Sequence, residues 1–424
     1  MPARLTRVRL VAGCALLALA IGGFLAVFPS LALAQQAGRA PPAPPARSAV
    51  APDLTRVTSL DTPRGSLLPA SSATREAPRV ASMPPAAVHF FAAVRANFSQ
   101  WDINHDGRLT REEIEVAMQD ARVTGEAAAA LAALKIGATD FDKLAETRSF
   151  AAADIDEMER TLRDGRKLEA NYIAFFVVGL RKLKETPREL FAEGRPHLTA
   201  IRQYFTADCY FLSAVGAVAE TNPTVLVRLI TPNPDGTFMV RFPGQPAVRV
   251  SPPTDAEIAT YTAAKDGVWL SVLQKTYALV RIRMEPKQAA TREPLDSVGF
   301  RLGSTSVMEL FTGHASRAIL LGGASEKGIR GSMVTQVRAA LRTAFRDHRA
   351  VTASMNRHAY AITAYDAAAD VITVHNPFSV PGFETLSGGD NIARTSDGFF
   401  TISTAQLASS FVYVRVEQGG RFGS

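Results

Sequence analysis

Two kinds of apolar spacing divide this chain. Phe90, Phe91, Val94 and Phe98 recur at three- and four-residue intervals before a polar loop, and Ile114, Val116 and Met118 follow in a second helical stretch. Residues 127–135, rich in alanine and leucine, predict a third helix and residues 154–162 a fourth, so 86–162 has the outline of two helix-loop-helix units. Residues 168–184 predict another helix with an apolar centre at 173–178. That run is short and is followed by Arg181, Lys182 and Lys184, which fits packing on a neighbour better than a membrane span.

Beyond residue 199 the pattern changes. A helix is predicted from Cys209 to about residue 220. Residues 225–230 and 238–242 alternate with period two around Pro232-Asn233-Pro234-Asp235-Gly236, which predicts a hairpin. Residues 269–279 and 333–345 return to helical spacing, while 350–355, 359–364 and 371–374 read as strands. Residues 399–416 combine a short strand, a helical turn and a final strand. The expected class is α+β.

A chain of 424 residues exceeds one average domain. Residues 35–85 contain Ala-Pro-Pro-Ala-Pro-Pro and few large apolar side chains, so they predict an extended, flexible tether. The net charge of +7 is diluted by scatter, and three of the basic residues, Arg4, Arg7 and Arg9, sit at the N-terminus. No nucleic-acid partner is expected. Those arginines, the uncharged run 10–34 and small residues at Ala32 and Ala34 have the form of an export signal cleaved before Gln35. A periplasmic or secreted protein is expected, and a membrane association only if residues 10–34 are retained as an anchor. The expected organisation is therefore a signal at 1–34, a linker at 35–85, a helical unit at 86–165, a helical connector at 166–194 and a larger unit at 195–424.

The chain has two cysteines, and Cys14 lies within the expected signal, so Cys209 is the one sulfhydryl expected in the mature protein. An unpaired thiol in an exported chain is either a small buried hydrophobe or a reactive group, and composition does not choose between them. Its position at a predicted helix start does bear on the choice. Unpaired backbone donors and the positive end of the helix dipole favour a thiolate there, although the carboxylate of Asp208 opposes it.

The stretch from Asp102 to Glu113 carries the full ligand pattern of an EF-hand loop. Asp102, Asn104 and Asp106 supply hard oxygens at the first, third and fifth positions, Arg108 a backbone carbonyl at the seventh, Thr110 the ninth and Glu113 a bidentate carboxylate at the twelfth. Gly107 permits the sharp turn. Ca2+ is the expected ion. A partner loop is expected at 143–154, with Phe150 mirroring Leu109, but Lys143, Ala145 and Thr147 supply no carboxylates, so this second loop is expected to bind nothing.

His358 opens one strand-like segment and Asn376 ends another. Adjacent strands would let the Asn376 amide accept from one imidazole nitrogen while the other faces a thiol. Gln203 stands six residues before Cys209. Gln203-Tyr204-Phe205-Thr206-Ala207-Asp208-Cys209-Tyr210, His358-Ala359-Tyr360 and Asn376-Pro377-Phe378 resemble, in the same order, the nucleophile, histidine and asparagine boxes of the calpain-type family of papain-like cysteine proteases. Residues 269–278, 310–313 and 397–416 resemble further segments of that family, and the likeness spans roughly 195–418.

The resemblance implies a papain-like core of two subdomains, preceded here by a small EF-hand-like helical domain. It implies Cys209 as nucleophile, His358 as acid and base, Asn376 as orienter of the ring and Gln203 as oxyanion donor, acting on a polypeptide substrate, with calcium dependence a further expectation. Ala207, Tyr210, Arg357 and Phe378 depart from the family's glycine, tryptophan, glycine and tryptophan. Its core calcium ligands have no counterpart here, and its EF-hand unit follows the protease core instead of preceding it. A catalytically silent calcium-binding scaffold or adhesion protein, and an amidase or transferase working through the same acyl-thiol, are the alternatives.

Overall fold

The computed structural model describes residues 83–138, 149–284, 294–299, 307–321, 327–355, 358–378, 382–386 and 391–421, all within one compact unit, Glu76–Ser424. The expected signal and tether, the ligand positions 143–147 of the partner loop, and Arg357 lie outside the described residues. Among the described residues no helix is long and apolar enough to cross a membrane.

The first half is helical. Helices α1 (Pro85–Trp101), α2 (Arg111–Met118), α3 (Gly125–Ala138), α4 (Ala152–Arg163) and α5 (Tyr172–Glu185) are joined by the two-residue strands β1 (Arg108–Leu109) and β2 (Phe150–Ala151). Pro85 starts α1, where a missing N–H costs nothing. Phe90, Phe91 and Val94 are buried on its inner face, where Phe90 meets Tyr172 and Phe176 of α5, and each ring buried there is worth roughly 1.5–3 kcal/mol. Small side chains make α3 the centre of this group. Its residues from Ala128 to Ile136 are all buried, so α5 and the later helix Asp255–Thr260 approach it closely.

From there the chain forms β3 (Ile201–Arg202), α6 (Cys209–Thr221), α7 (Pro223–Leu229), β4 (Ile230–Pro232), β5 (Phe238–Val240), β6 (Val248–Val250), α8 (Asp255–Thr260), β7 (Ala263–Ala264) and α9 (Trp269–Met284). The hairpin forms around Asn233–Gly236 as expected, with Gly236 at φ 80° and a third strand, β6, added. Residues 225–229, read as a strand, are helical instead. Pro223 presets the first turn, and Leu226 and Leu229 are buried at helical spacing, which overrides the β-branched alternation.

Helix α10 (Val307–Thr312) leads into β8 (His314–Leu320), followed by α11 (Lys327–Arg346), β9 (Val351–Met355), β10 (His358–Asp366), β11 (Val371–His375), β12 (Gly382–Thr385), β13 (Asn391–Arg394), β14 (Phe399–Ser403), α12 (Thr404–Ser410) and β15 (Tyr413–Arg421). Six of these strands form one antiparallel sheet in the order β14-β11-β10-β9-β15-β8, and β12 and β13 make a separate hairpin. One face of the sheet is covered by Val337, Leu341 and Ala344 of α11 and Leu407 of α12. Ala361 of β10 belongs instead to the core shared with α6, and α6 packs on β10. Helices and antiparallel sheets thus make a mixed α+β fold with two hydrophobic cores, and α6 lies where they meet.

Gly267 shows how tightly the segment before α9 is held. Val268 and Trp269 donate their N–H groups to the carbonyls of Glu189 (3.0 Å) and Leu190 (3.1 Å). Gly267 has φ 133°, and a Cβ there would lie 2.5 Å from the Leu190 oxygen and 2.7 Å from that of Glu189. Gly267→Ala should therefore lower unfolding free energy by about 2–4 kcal/mol in urea titration, combining backbone strain with overpacking. An unchanged midpoint would contradict this packing.

Candidate active site

Cys209 is the first residue of α6 and is buried, 7% exposed. The carbonyl of Asp208 accepts from Phe211 and Leu212, which starts the helix, but the Asp208 side chain does not cap it. It turns inward, fully buried, and accepts from Thr262 Oγ1 and Gln274 Nε2, both at 2.7 Å. The apolar residues after Cys209 make α6 a helix enclosed almost all round, so the position of its first turn is set by packing on both cores.

His358 begins β10 and Asn376 follows directly on β11, and these strands pair antiparallel. That register brings His358 Nε2 to 2.9 Å from Asn376 Oδ1. Phe378 Nα donates to the same oxygen at 3.0 Å, and the Phe378 ring stacks on the imidazole at 5.0 Å and 14°. The phenylalanine thus shields one face of the ring. Tyr360 packs edge-on against the imidazole at 4.8 Å. Burial holds the Tyr360 phenol well above its usual pKa, followed by the charge of Glu384, and Cys209 adds a smaller push in the same direction. The imidazole thus borders Tyr360, and the thiol is near enough to act on its charge.

Gln203 is buried in the loop between β3 and α6. Its side-chain amide donates to the Thr206 carbonyl at 2.7 Å, and its backbone N–H donates to the Pro377 carbonyl at 2.8 Å. This backbone bond ties the segment leading to Cys209 to the turn after Asn376. Gln203, Cys209, His358 and Asn376 are consequently carried by elements in direct contact, although 173 residues of sequence separate the ends of the set.

Searched against protein-family models and curated protein sequences, the chain matches none. The site has to be judged on its own geometry.

Two features of that geometry gave no sequence signal. Glu384 on β12 is buried and accepts from Asn376 Nδ2 (2.6 Å), Tyr360 Oη (2.9 Å) and Arg394 Nη1 (2.5 Å). It lies eight residues past Asn376 in a stretch without periodicity, so only the β12–β13 hairpin reveals it. Lys182, in the last turn of α5, is 1% exposed. It donates to the carbonyls of Ala259, at 3.0 Å, and Tyr261, and lies over the Tyr204 ring at 4.6 Å. Burial lowers its pKa to about 7.

The loop from Asp102 to Glu113 curls with His105 at φ 57° and Gly107 at φ 80°. Leu109 pairs with Phe150 across β1 and β2, as the mirrored loops were expected to do. Asp102 accepts from the backbone N–H groups of Asp106 (3.2 Å) and Gly107 (2.9 Å), and Asn104 Oδ1 from Asp106 (2.9 Å). Asp106 Oδ1 accepts from the Arg108 N–H at 2.9 Å, while the Arg108 guanidinium donates to Ser149 Oγ. Glu113 reaches back across the loop to the N–H groups of Ile103, Asn104 and Thr110 and to the Thr110 hydroxyl. Burial alone would raise the Glu113 pKa, but the bonds from Thr110, Asn104 and Ile103 outweigh it and the net shift is downward. Among the described residues no three His, Cys, Asp or Glu side chains gather into a preformed metal cluster. The loop's oxygens converge on its own backbone donors, and the donor set is the hard, anionic oxygen set that suits Ca2+.

A second contact set runs between this loop and α6. Arg111, next after Thr110, donates to Asp296 Oδ2 at 2.7 Å, as does Lys135 at 2.8 Å, and Tyr261 Oη donates to Asp296 Oδ1 at 2.8 Å. Two residues on, the Val298 carbonyl accepts from Tyr210 Oη at 2.8 Å. Tyr210 adjoins Cys209. The 3₁₀ segment Pro294–Gly299 therefore touches both the loop's exit helix and the first turn of α6.

Burial pushes the Asp208 carboxyl from its ordinary 3.8 up to about 7, partly opposed by the Thr262 hydroxyl, the Lys182 charge and the Gln274 amide. Because the folded-state pKa is raised, the folded chain holds this proton more tightly than the unfolded chain does. The group's contribution to stability is full below its unfolded value and is lost as pH rises through about 7. Asp208→Asn keeps an acceptor for Thr262 and Gln274 without the charge. Its stability relative to wild type, measured by urea unfolding, should rise between about pH 4 and about pH 7 by up to about 4 kcal/mol. A difference that stays flat across that window would contradict a buried carboxyl at this position.

Proposed function

We propose that the chain is an exported cysteine endopeptidase with a papain-like core, in which Cys209, His358 and Asn376 cleave peptide bonds and an EF-hand unit makes the activity calcium-dependent. The observation that carries this reading is the His358–Asn376 contact of 2.9 Å, covered by Phe378, on a strand that packs against the helix starting at Cys209. A half-buried imidazole oriented by an amide has little structural purpose of its own, whereas a thiol nucleophile requires one.

In the proposed reaction His358 takes the thiol proton, and the Cys209 sulfur forms a bond to the peptide carbonyl carbon. The oxyanion is held by the Cys209 backbone N–H and the Gln203 side-chain amide. As the carbon–nitrogen bond breaks, the imidazolium gives its proton to the leaving amine. Water, deprotonated by His358, then attacks the thioester, which releases the acid and returns the proton to the thiol.

Asp102, Asn104, Asp106, the Arg108 carbonyl, Thr110 and Glu113 are the residues proposed to hold calcium, whose charge would draw the loop's oxygens together and set the angle between α1 and α2. The step from loop to thiol is supported by the chain's own contacts. Arg111 donates to Asp296, and two residues on the Val298 carbonyl accepts from the hydroxyl of Tyr210, the neighbour of Cys209, so a shift of the loop would be passed along these bonds.

Purified protein with calcium should cleave an unstructured polypeptide, and Cys209→Ala should abolish cleavage. No cleavage by the wild type, and no acylation of Cys209, would favour a silent calcium-binding scaffold. Transfer of the acyl group to an added amine in place of water would favour a transferase.

Calorimetry should show calcium binding that Glu113→Gln removes, since that change takes away the bidentate carboxylate. Asp296→Asn should preserve the binding heat but uncouple it from activity, leaving the cleavage rate less responsive to calcium. Equal heats from wild type and Glu113→Gln would disprove the ligand set.

A further inference from the structure

An amide side chain can be inserted into a hydrogen-bond network in two ways, and the choice decides what the neighbouring imidazole must do. Around Asn376 the choice is forced. On one side lies the Glu384 carboxylate, 2.6 Å from Asn376 Nδ2. A carboxylate facing Arg394 is an acceptor, so the amide must turn its NH2 group toward it. On the other side the Phe378 backbone N–H, which can only donate, points at Asn376 Oδ1. Both constraints leave the carbonyl oxygen facing His358. That oxygen cannot donate, so the imidazole must bring a proton on Nε2.

From this arrangement we infer that Glu384 is a positioning residue: by fixing the orientation of the Asn376 amide it fixes His358 as the Nε2–H tautomer and leaves Nδ1 as the ring's proton acceptor. As a statement about catalysis, the inference rests on the peptidase reading above; as a statement about the tautomer, it stands on the contacts alone. A neutral imidazole with its proton on the wrong nitrogen has no base to offer the thiol.

Glu384 is held for this purpose from three directions. Arg394, across the β12–β13 hairpin, and Asn376 share Oε1, and Tyr360 Oη donates to Oε2 at 2.9 Å. Tyr360 also lies edge-on to the imidazole, so the same carboxylate anchors the ring that supports His358 from the side. Four polar groups, His358, Asn376, Glu384 and Arg394, thus form one chain running away from the site, each orienting the one before it.

The polarity of this chain makes a specific prediction. Glu384→Leu keeps the bulk but removes the acceptor, which takes away one of the two constraints on the Asn376 amide, so that part of the population can reverse and present a donor to His358. The imidazole must answer with an acceptor at Nε2, so its proton moves to Nδ1. Adding Asn376→Asp to Glu384→Leu supplies a side chain that accepts on both sides, and this second change should restore the original tautomer.

The test is long-range 1H–15N spectroscopy of the full chain labelled in histidine, in a Cys209→Ala background at a pH where the imidazole is neutral, with the His358 signal identified by its loss in His358→Asn. The expected result is the Nε2–H form in the parent, a substantial Nδ1–H population in Glu384→Leu, and return of the Nε2–H form in the double change. An Nδ1–H form in the parent, or a spectrum unaltered by Glu384→Leu, would overturn the proposal, and Glu384→Ala, which also removes the acceptor, decides if Glu384→Leu fails to fold.

A kinetic arm separates this inference from the peptidase reading. With Cys209 present, Glu384→Leu should lower kcat on the order of 10–100-fold, as loss of an orienting partner does at other sites, with KM little changed. It should regain activity with Asn376→Asp. An unchanged kcat in a cleaving enzyme overturns the positioning role, whereas an inactive wild type with the expected spectra overturns the peptidase reading alone.

Discussion

The hydrogen bond between His358 and Asn376 is the constraint around which this site is arranged. It exists because β10 and β11 are neighbours in an antiparallel sheet and because Asn376 follows directly on the last residue of β11. Strand pairing fixes where the two side chains stand, and stacking by Phe378 keeps water from one side of the ring. A polar pair of this kind is costly to bury unless each member is satisfied, and the Glu384 and Phe378 contacts complete the set.

The thiol reaches the same place by a different route. α6 is apolar on nearly all sides and lies between the helical core and the sheet, so its first turn is positioned by burial. Two links hold that turn, one to the segment after β11 and one to the helical core. The Gln203 N–H bonds to the Pro377 carbonyl, and Asp208 is held by Thr262 and Gln274 beneath the helix start. Burial of Asp208 also changes its electrical effect on the thiol. A carboxyl whose pKa is pushed up to about 7 is only partly charged at neutral pH, so it opposes a thiolate less than its sequence neighbourhood suggests.

Residue patterns reveal the elements here better than the contacts. The turn at Asn233–Gly236, the helix beginning at Cys209 and the strands holding His358 and Asn376 follow from local periodicity and turn chemistry. The helix at Pro223–Leu229 was misread because Val225 and Val227 favour a strand by type, while burial of Leu226 and Leu229 settled the matter through tertiary contact. The edge strand His314–Leu320 is mostly uncovered, so it lacks the alternation that would mark it. Lys182 and Glu384 were invisible for a related reason. Each is buried by a partner far away in sequence, Lys182 by the carbonyls ending α8 and Glu384 by Asn376 and the strand opposite, and neither partner leaves a trace in the residues next to it. The spacing of Gln203, Cys209, His358 and Asn376 drew attention to the site, but only the fold shows what orients it.

The central claim is that the Cys209 sulfur and the His358 imidazole share a proton. Its most direct measurement is the rate at which iodoacetamide alkylates Cys209 at about pH 6, followed by intact mass, in wild type and in His358→Ala. Paired with an imidazole, the thiol should react at this pH and lose at least about tenfold in rate when the ring is removed. Equal rates in the two proteins would show that the sulfur is only a buried small side chain, and would contradict the account.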